Sequence, residues 1–192
     1  NNLLTSTIDI FREVIRMRRL KVLNLSRNKI TQLNRFIENI NNNNNNNNNI
    51  LLNELQLDLS FNSINRIDEM AFGSISQSIV KLNLNNNELN QFQFGFLKRT
   101  KFENIKELQL DYNKIEYIPD NLLQSLSKLE HLSLKGNLIY SLQSEFSFYG
   151  LNLSLKKLNL ASNKIVHISK RAFLHCSKLR ELNLERNQLS TN

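Results

Sequence analysis

Three histidines and one cysteine are the side chains here best suited to act as a base, a nucleophile or a metal ligand. His131, His167 and His175 lack the spacing of a metal site, and the four glycines are too scattered to form a phosphate-binding loop. Cys176 stands where a buried, unreactive thiol is expected. His131, expected on an exposed face, is either a solvated side chain or a partner contact. We therefore predict no catalytic residue, no metal and no cofactor.

Two Asn-x-Ser sequons offer acceptors for N-linked glycans. Asn24 lies in a predicted strand, where Leu-Asn-Leu-Ser arises readily from a repeated pattern. Asn152 lies in a predicted loop and is the better of the two candidate glycosylation sites. Use of either sequon requires that the protein is secreted.

Hydrogen bonding is the chemistry that the recurring asparagines predict. The phrase L-x-x-L-x-L-x-x-N-x-L occurs seven times, and its asparagines are separated by 34, 25, 26, 24, 26 and 24 residues. A buried amide is unfavourable unless backbone groups bond to it. We therefore predict a structural asparagine ladder that links each turn of chain to its neighbours, formed by Asn28, Asn62, Asn87, Asn113, Asn137, Asn163 and Asn187.

Each phrase also predicts a short strand with one buried face, because apolar and polar residues alternate in x-L-x-L-x. Strands about 25 residues apart pair in parallel through right-handed connections. No phrase can bury its own leucines, so the repeats must stack. The predicted fold is α/β: a single right-handed solenoid over residues 1–192, with a concave parallel sheet and an irregular or short-helical convex side. Its strand phrases are 20–30, 54–64, 79–89, 105–115, 129–139, 155–165 and 179–189.

The second half of each repeat supplies apolar residues for the convex side of the core. Counted from the first residue of the phrase, position 14 holds Leu33, Ile67, Phe92, Ile118, Leu142 and Ile168. Positions near 18 and 19 hold the pairs Ala71-Phe72, Phe96-Leu97, Leu122-Leu123 and Ala172-Phe173. Position 22 holds Ile75, Leu126 and Cys176.

This 24-residue pattern resembles the "typical" class of leucine-rich repeats, which is common in extracellular animal proteins such as Toll-like receptors, connectin and chaoptin. The longer repeats, with GSISQSIVKLNL and GLNLSLKKLNL before the strand, look most like chaoptin-type adhesion proteins. The resemblance covers essentially the whole chain. It implies a protein-binding module of a cell-surface or secreted glycoprotein, attached to a membrane only through segments outside this chain.

Three features depart from a regular repeat. Glu54 replaces the first apolar residue of its phrase. The nine asparagines at 41–49 account for the extra length between the first two phrases. They predict an inserted disordered loop, with a self-associating segment as the alternative. Finally, no terminal caps are visible, so we expect a fragment truncated at both ends.

The exposed face of the predicted sheet offers a broad surface for a partner. Its charges are mixed, although the chain carries a net charge of +8, so nucleic acid is not expected as a partner. Exposed aromatic residues and arginines are the usual anchors of interfaces. The predicted contacts are Arg27, Asp58, Phe61, Asp111, Tyr112, Lys135 and Arg186. The basic cluster Arg16, Arg18, Arg19 and Lys21 either is solvated or meets an acidic polysaccharide or lipid.

The combined pattern favours an extracellular interaction module, most consistent with cell adhesion and with homophilic self-association as one form of it. A Toll-like receptor ectodomain that senses a ligand is one alternative. An intracellular leucine-rich-repeat scaffold is another, because the single cysteine and the asparagine tract are compatible with the cytoplasm. An enzyme would need its catalytic domain outside this chain.

Overall fold

The computed structural model describes residues 8–14, 16–35 and 54–190. The asparagine tract at 41–49, the expected truncation of the ends and the side chain of Phe92 lie outside the described parts. In chain order the elements are α1 (Ile8–Val14), β1 (Val22–Asn24), β2 (Gln32–Leu33), β3 (Leu55–Asp58), β4 (Arg66–Ile67), a 3-10 helix (Gly73–Ser78), β5 (Ile79–Asn83), a 3-10 helix (Gln91–Gln93), α2 (Gly95–Arg99), β6 (Glu107–Gln109), β7 (His131–Ser133), β8 (Ser141–Leu142), β9 (Lys157–Asn159), β10 (His167–Ile168) and β11 (Glu181–Asn183).

Seven of these strands form one parallel sheet in the order β1-β3-β5-β6-β7-β9-β11. The central leucine of each strand lies opposite that of the next, as in the pairs Leu82 with Leu108 and Leu108 with Leu132. These three leucines are at most 2% exposed, whereas the residues on either side of each are partly exposed. The alternation that the sequence predicts is confirmed, and the chain is a stacked solenoid with few helices.

The second phrase joins the sheet through a shift of one residue. Glu54 is exposed and has a positive φ of 49°. Leu55 is instead fully buried and pairs with Ile79, the first residue of the next phrase. The register then shifts between Leu55 and Gln56, which brings Leu57 opposite Leu82. The irregularity therefore places an apolar side chain where a glutamate carboxylate would be strongly destabilising.

The far side of the solenoid carries two small parallel pairs, β2 with β4 and β8 with β10. In both, the backbone N–H at position 15 donates to the position-14 oxygen of an earlier repeat. The N–H of Asp68 donates to Leu33 O, and that of Ser169 donates to Leu142 O, each at 2.8 Å. The fourth repeat has Pro119 at this position, which has no N–H to donate. Pro119 therefore cannot make this bond.

Phenylalanine rings fill the far side of the core in the N-terminal half. Phe72 is fully buried, and its ring centroid lies 5.4 Å from those of both Phe96 and Phe102. Phe11 of α1 packs against Phe72 at 6.4 Å and is 1% exposed. The pair Phe148 and Phe173 stacks at 5.8 Å further along the chain. These rings join successive repeats behind the leucines of the sheet.

Candidate functional site

The asparagine ladder joins neighbouring repeats through side-chain amides. Asn113 Nδ2 donates to Leu110 O of its own turn at 3.1 Å and to Leu84 O of the preceding repeat at 3.0 Å. Its Oδ1 accepts the N–H of Leu89, also in the preceding repeat, at 3.0 Å. Because Asn113 is only 6% exposed, water does not compete for these bonds. The same arrangement recurs at Asn62, Asn87, Asn137, Asn163 and Asn187.

The first asparagine of the ladder differs from the others. Asn28 Nδ2 donates to Leu25 O at 2.9 Å, but its Oδ1 is buried without a partner among the described residues. In every later rung this oxygen accepts an N–H from the closing position of the preceding repeat, as Asn62 does from Ile30 at 3.0 Å. The residue at the equivalent spacing in the sequence, Leu4, lies outside the described part of the chain.

A second set of polar side chains caps the turn that follows each strand. At the last strand position, an Asn or Asp oxygen accepts the backbone N–H two residues further on, at 2.9 to 3.0 Å. This is the hydrogen bond of an Asx turn. One carboxylate oxygen of Asp58, a predicted partner contact, is therefore engaged with Ser60 N–H. The residues that cap in this way are Asn24, Asp58, Asn83, Asn159 and Asn183.

In two repeats the last residue of the strand is Gln109 or Ser133. The turn that follows is capped there by a side chain of the preceding repeat. Asn85 Oδ1 accepts the N–H of Asp111 at 2.6 Å. Asp111 Oδ1 in turn accepts the N–H of Lys135 at 2.8 Å and the hydroxyl of Ser133 at 2.5 Å. Asp111, which the sequence suggested as a partner contact, is therefore also a structural link between the fourth and fifth repeats.

The environment of Asp111 alters its ionisation. Burial raises the pKa of this carboxyl above its usual 3.8, although the hydrogen bonds from Ser133 and Lys135 and the charge of Lys135 act in the opposite direction. The folded protein therefore binds a proton at Asp111 more tightly than the unfolded chain does. It follows that the contribution of Asp111 to stability is largest below the unfolded pKa and is lost as the pH rises through the folded pKa.

Asp111→Asn is expected to remove the loss of stability that accompanies rising pH. The amide keeps an Oδ1 acceptor for Lys135 N–H but does not ionise. The measurement is the free energy of unfolding in urea for both proteins from pH 3 to pH 7. The stability of the variant relative to the native protein should increase as the pH rises. A difference between the two proteins that does not change with pH would contradict the assignment.

The predicted aromatic and arginine contacts lie beyond the strands and not on them. Each strand ends at phrase position 5, so position 8 is three residues further along, in the turn. Of the seven predicted contacts, only Asp58 lies within a strand. Every residue at position 8 has a positive φ between 52° and 68°. We call this column the rim: Arg27, Phe61, Asn86, Tyr112, Gly136, Ser162 and Arg186.

Side chains of the rim and the turns beside it contact one another across repeats. The guanidinium carbon of Arg27 lies 4.5 Å from the ring centroid of Phe61, and Lys135 Nζ lies 5.8 Å from that of Tyr112. The Tyr112 ring also covers Gly136 so closely that a Cβ there would lie 2.4 Å from ring atom Cδ1. Phe61 and Tyr112 nevertheless remain 46% and 48% exposed. Both rings are thus held by neighbours and still present area to a partner.

Opposite charges on the sheet face pair across neighbouring strands. Lys81 Nζ lies 3.1 Å from Glu107 Oε1, and Lys157 Nζ lies 2.7 Å from Glu181 Oε1. Beside them, Lys156 Nζ bonds Glu130 Oε2 at 2.6 Å, and this hydrogen bond lowers the pKa of the Glu130 carboxyl. Part of the mixed charge that the sequence displays on this face is therefore neutralised in local ion pairs.

A depression of about 570 Å³ lies on the sheet face over β6, β7, β9 and β11. Its lining includes Gln109, His131, Lys157 and Asn159. None of the seven predicted contacts lines it. The sequence contained the necessary signal, since positions 3 and 5 of each strand point away from the leucines. Which repeats form a hollow, however, depends on how the strands are arranged in space.

Two segments match family models described as leucine-rich repeats, residues 143–189 and residues 19–43. The fold is also similar to a chain in the octameric complex of latrophilin 3, Unc5D and the leucine-rich-repeat region of FLRT2. That chain is 23% identical, with a TM-score of 0.72 over 97% of this chain and 52% of the other. The chain therefore has the fold of a leucine-rich-repeat solenoid.

A second similar structure is the complex of TLR13 with the single-stranded RNA ssRNA13, with 22% identity and a TM-score of 0.63. The match covers 98% of this chain and 28% of that one. This chain therefore spans about half the length of the first similar structure and just over a quarter of the second. No curated protein sequence matches it.

The two sequons of this chain have different surroundings. Asn24 is exposed, and its Oδ1 accepts both the N–H and the hydroxyl of Ser26 at 2.9 and 2.7 Å. Asn152 is half-buried, with Nδ2 3.0 Å from His175 Nδ1, and Ser154 of the same sequon is buried. The loop sequon, preferred from sequence, is thus the less accessible one, and glycosylation of either stays a prediction.

The groups with potential for other chemistry have ordinary structural surroundings. Cys176 is 7% exposed, and burial raises the pKa of its thiol to about 11, which disfavours the reactive thiolate. Across residues 8–14, 16–35 and 54–190, no three His, Cys, Asp or Glu side chains converge as metal ligands. Within the same ranges, no helix has the length and apolar composition needed to cross a bilayer.

Proposed function

We propose that this solenoid is the protein-binding part of a cell-surface or secreted adhesion protein, and that it can bind a second copy of itself. The proposed contact surface combines the rim with the adjoining sheet face. On it, Arg27, Phe61, Tyr112 and Arg186 act as anchors, with Asp58, Asp111 and Lys135 as polar neighbours. The Asx-turn and cross-repeat bonds of the two aspartates fix the turns that carry the anchors.

The observation that carries this proposal is the exposure of large aromatic rings at left-handed backbone positions. A residue other than glycine, asparagine or aspartate in this conformation is unfavourable by roughly 1–2 kcal/mol. Gly136 occupies the same rim position in the fifth repeat, so the turn itself does not require a side chain. The turn therefore does not require the rings of Phe61 and Tyr112 for its conformation. Aromatic side chains are, in contrast, the usual anchors of protein interfaces.

Adhesion is favoured over ligand sensing by the resemblance of the longer repeats to chaoptin-type proteins. The assembly of the similar FLRT2 region with latrophilin 3 and Unc5D is consistent with a protein partner. The TLR13 complex holds RNA, which keeps ligand sensing as the alternative. The neutralising ion pairs of the sheet face support a protein partner over RNA, because RNA backbones require unpaired cations.

The proposal is tested by aggregation of beads coated with the purified chain. Native protein should aggregate the beads, and Tyr112→Ala should abolish or strongly reduce aggregation because it removes an exposed anchor. Gly136→Ala should have a similar effect, since the added Cβ would meet the Tyr112 ring at 2.4 Å and displace it. Single anchors typically contribute about 2 kcal/mol or more, which corresponds to roughly a 30-fold loss of affinity.

Tyr140→Ala is the matched control, because Tyr140 is 52% exposed but lies four residues beyond the rim. Its aggregation should equal that of the native protein. Failure of native beads to aggregate would overturn homophilic adhesion. Equal loss in Tyr112→Ala and Tyr140→Ala would overturn the assignment of the rim as the contact surface.

A further inference from the structure

Positive charge is concentrated at the N-terminal end of the chain. Eight of the 25 Lys and Arg residues but only two of the 17 Asp and Glu residues precede position 36. Six of the eight net positive charges therefore fall in this short stretch. Its described cations are all exposed: Arg16, Arg18, Arg19, Lys21, Arg27, Lys29 and Arg35.

Most of these cations have no ion-pair partner among the described residues. Downstream, several cations pair with carboxylates across neighbouring strands, as Lys81 does with Glu107. At the N-terminal end, β1 pairs with β3, so the residue next to Lys21 across the sheet is the apolar Leu55 or the uncharged Gln56. Within the described part of the chain, only Arg16 has a carboxylate partner there, Glu13 at 3.2 Å.

The backbone that carries the cations is held in place by the next repeat. Lys21 O accepts the N–H of Gln56 at 2.8 Å, and Arg27 N–H donates to Ser60 O at 3.0 Å. The segment between Lys29 and Arg35 is held similarly, through Ile30 O and Leu33 O. Apart from Arg16, these charges therefore follow one hydrogen-bonded coil of the solenoid, from the turn before β1, around the rim and past β2. Binding a ligand along this coil requires little ordering of the backbone.

We propose that this coil is a binding site for a sulfated, linear polysaccharide. A linear polyanion matches cations that follow one coil, and arginine forms paired hydrogen bonds with oxyanions. The coil shares Arg27 with the proposed adhesion surface, but Arg18, Arg19 and Lys21 are not among the proposed adhesion contacts.

Other polyanions fit this surface less well. Stacking sites for single-stranded nucleic acid need an open aromatic face. The Arg27 guanidinium, however, already lies over one face of the nearby Phe61 ring, at 4.5 Å from its centroid. A lipid surface is best held by an amphipathic helix with a free apolar face. In α1, Phe11 and Val14 are buried in the core and cannot insert into a bilayer.

The test compares two variants of equal net charge for binding to heparin, used as the sulfated probe. Arg18→Glu/Arg19→Glu/Lys21→Glu reverses three cations of the coil. Lys164→Glu/Lys170→Glu/Lys178→Glu reverses three exposed cations that have no ion pair among the described residues. The first variant should lose at least about tenfold in affinity, which corresponds to about 1.4 kcal/mol. The second should change less than about twofold. Unfolding in urea checks that both variants fold.

Equal losses in the two variants would overturn the site, because overall charge alone would then explain binding. Absence of heparin binding at physiological salt would also overturn it. Phosphatidylserine vesicles and single-stranded RNA are the competing probes. Tighter, coil-dependent binding of either than of heparin would replace the polysaccharide with that class of polyanion. None of these outcomes depends on the bead aggregation assay, so the two proposals fail separately.

Discussion

Asn113→Leu is expected to lower the free energy of unfolding by about 3–5 kcal/mol. The N–H of Leu89 loses its acceptor, and an unsatisfied buried donor is unfavourable by about 1–3 kcal/mol. The bonds to Leu84 O and Leu110 O are lost as well, each contributing about 1 kcal/mol. These two oxygens keep their bonds to Asn87 and Asn137, so the leucine variant does not leave them without donors. The measurement is unfolding in urea followed by circular dichroism.

Asn187→Leu is the control for position in the ladder. Asn187 makes bonds of the same kind to Leu184 O and Leu160 O, both at 2.9 Å, but it is only partly buried. Water can therefore satisfy some of the groups that its loss would expose, and a decrease of about 1 kcal/mol is expected. If Asn113→Leu destabilised the protein no more than Asn187→Leu, the interior ladder would not stabilise the stack as argued.

Phe72→Ala is the second change with a large expected effect, a decrease of about 3–5 kcal/mol in the free energy of unfolding. Phe72 is fully buried between Phe11, Phe96 and Phe102, with ring centroids 5.4 to 6.4 Å apart. Truncation would leave a cavity bordered by rings from α1 and from the third repeat, and the solenoid cannot close around it without moving both. The loss would appear as a lower urea midpoint.

Phe61→Ala provides the matched control, because the same residue type is removed from a site that is 46% exposed. Its ring contacts the Arg27 guanidinium, an exposed cation–π pair that contributes about 0.5–1 kcal/mol. A change of less than about 1 kcal/mol is therefore expected. Similar effects at Phe61 and Phe72 would show that the phenylalanine cluster is not the main packing contact of the N-terminal half.

Much of the fold was predictable from residue types and spacing. The alternation around Leu82, Leu108 and Leu132 requires a strand with one buried face, and the 24-to-26-residue period requires parallel stacking. The position of Asn113 relative to these leucines predicted a buried amide that needs backbone partners. The predictions of the fold succeed because they depend on local periodicity, which recurs in every repeat.

The candidate site was harder to predict because it depends on contacts between repeats. Tyr112 was recognisable as an exposed aromatic residue, but its place on the rim follows from a turn with positive φ, and no residue type marks that turn uniquely. Arginine, phenylalanine, serine and glycine all occur there. Asp111 looked like a free surface carboxylate, yet it caps the turn of the next repeat because Ser133 cannot cap its own.

By itself, the order of residues determined that this chain forms a parallel, leucine-lined solenoid joined by asparagines, because the apolar period leaves each repeat no other way to bury its surface. Tertiary structure alone decided which polar side chains remain free for a partner. Leu55 replaces Glu54 in the core, and Asp111 accepts the N–H of Lys135. Several later cations are paired across strands, whereas Arg18, Arg19 and Lys21 have no such pair among the described residues. The reason is physical: burial follows from the pattern within one repeat, but pairing requires the neighbour that stacking brings within hydrogen-bond distance.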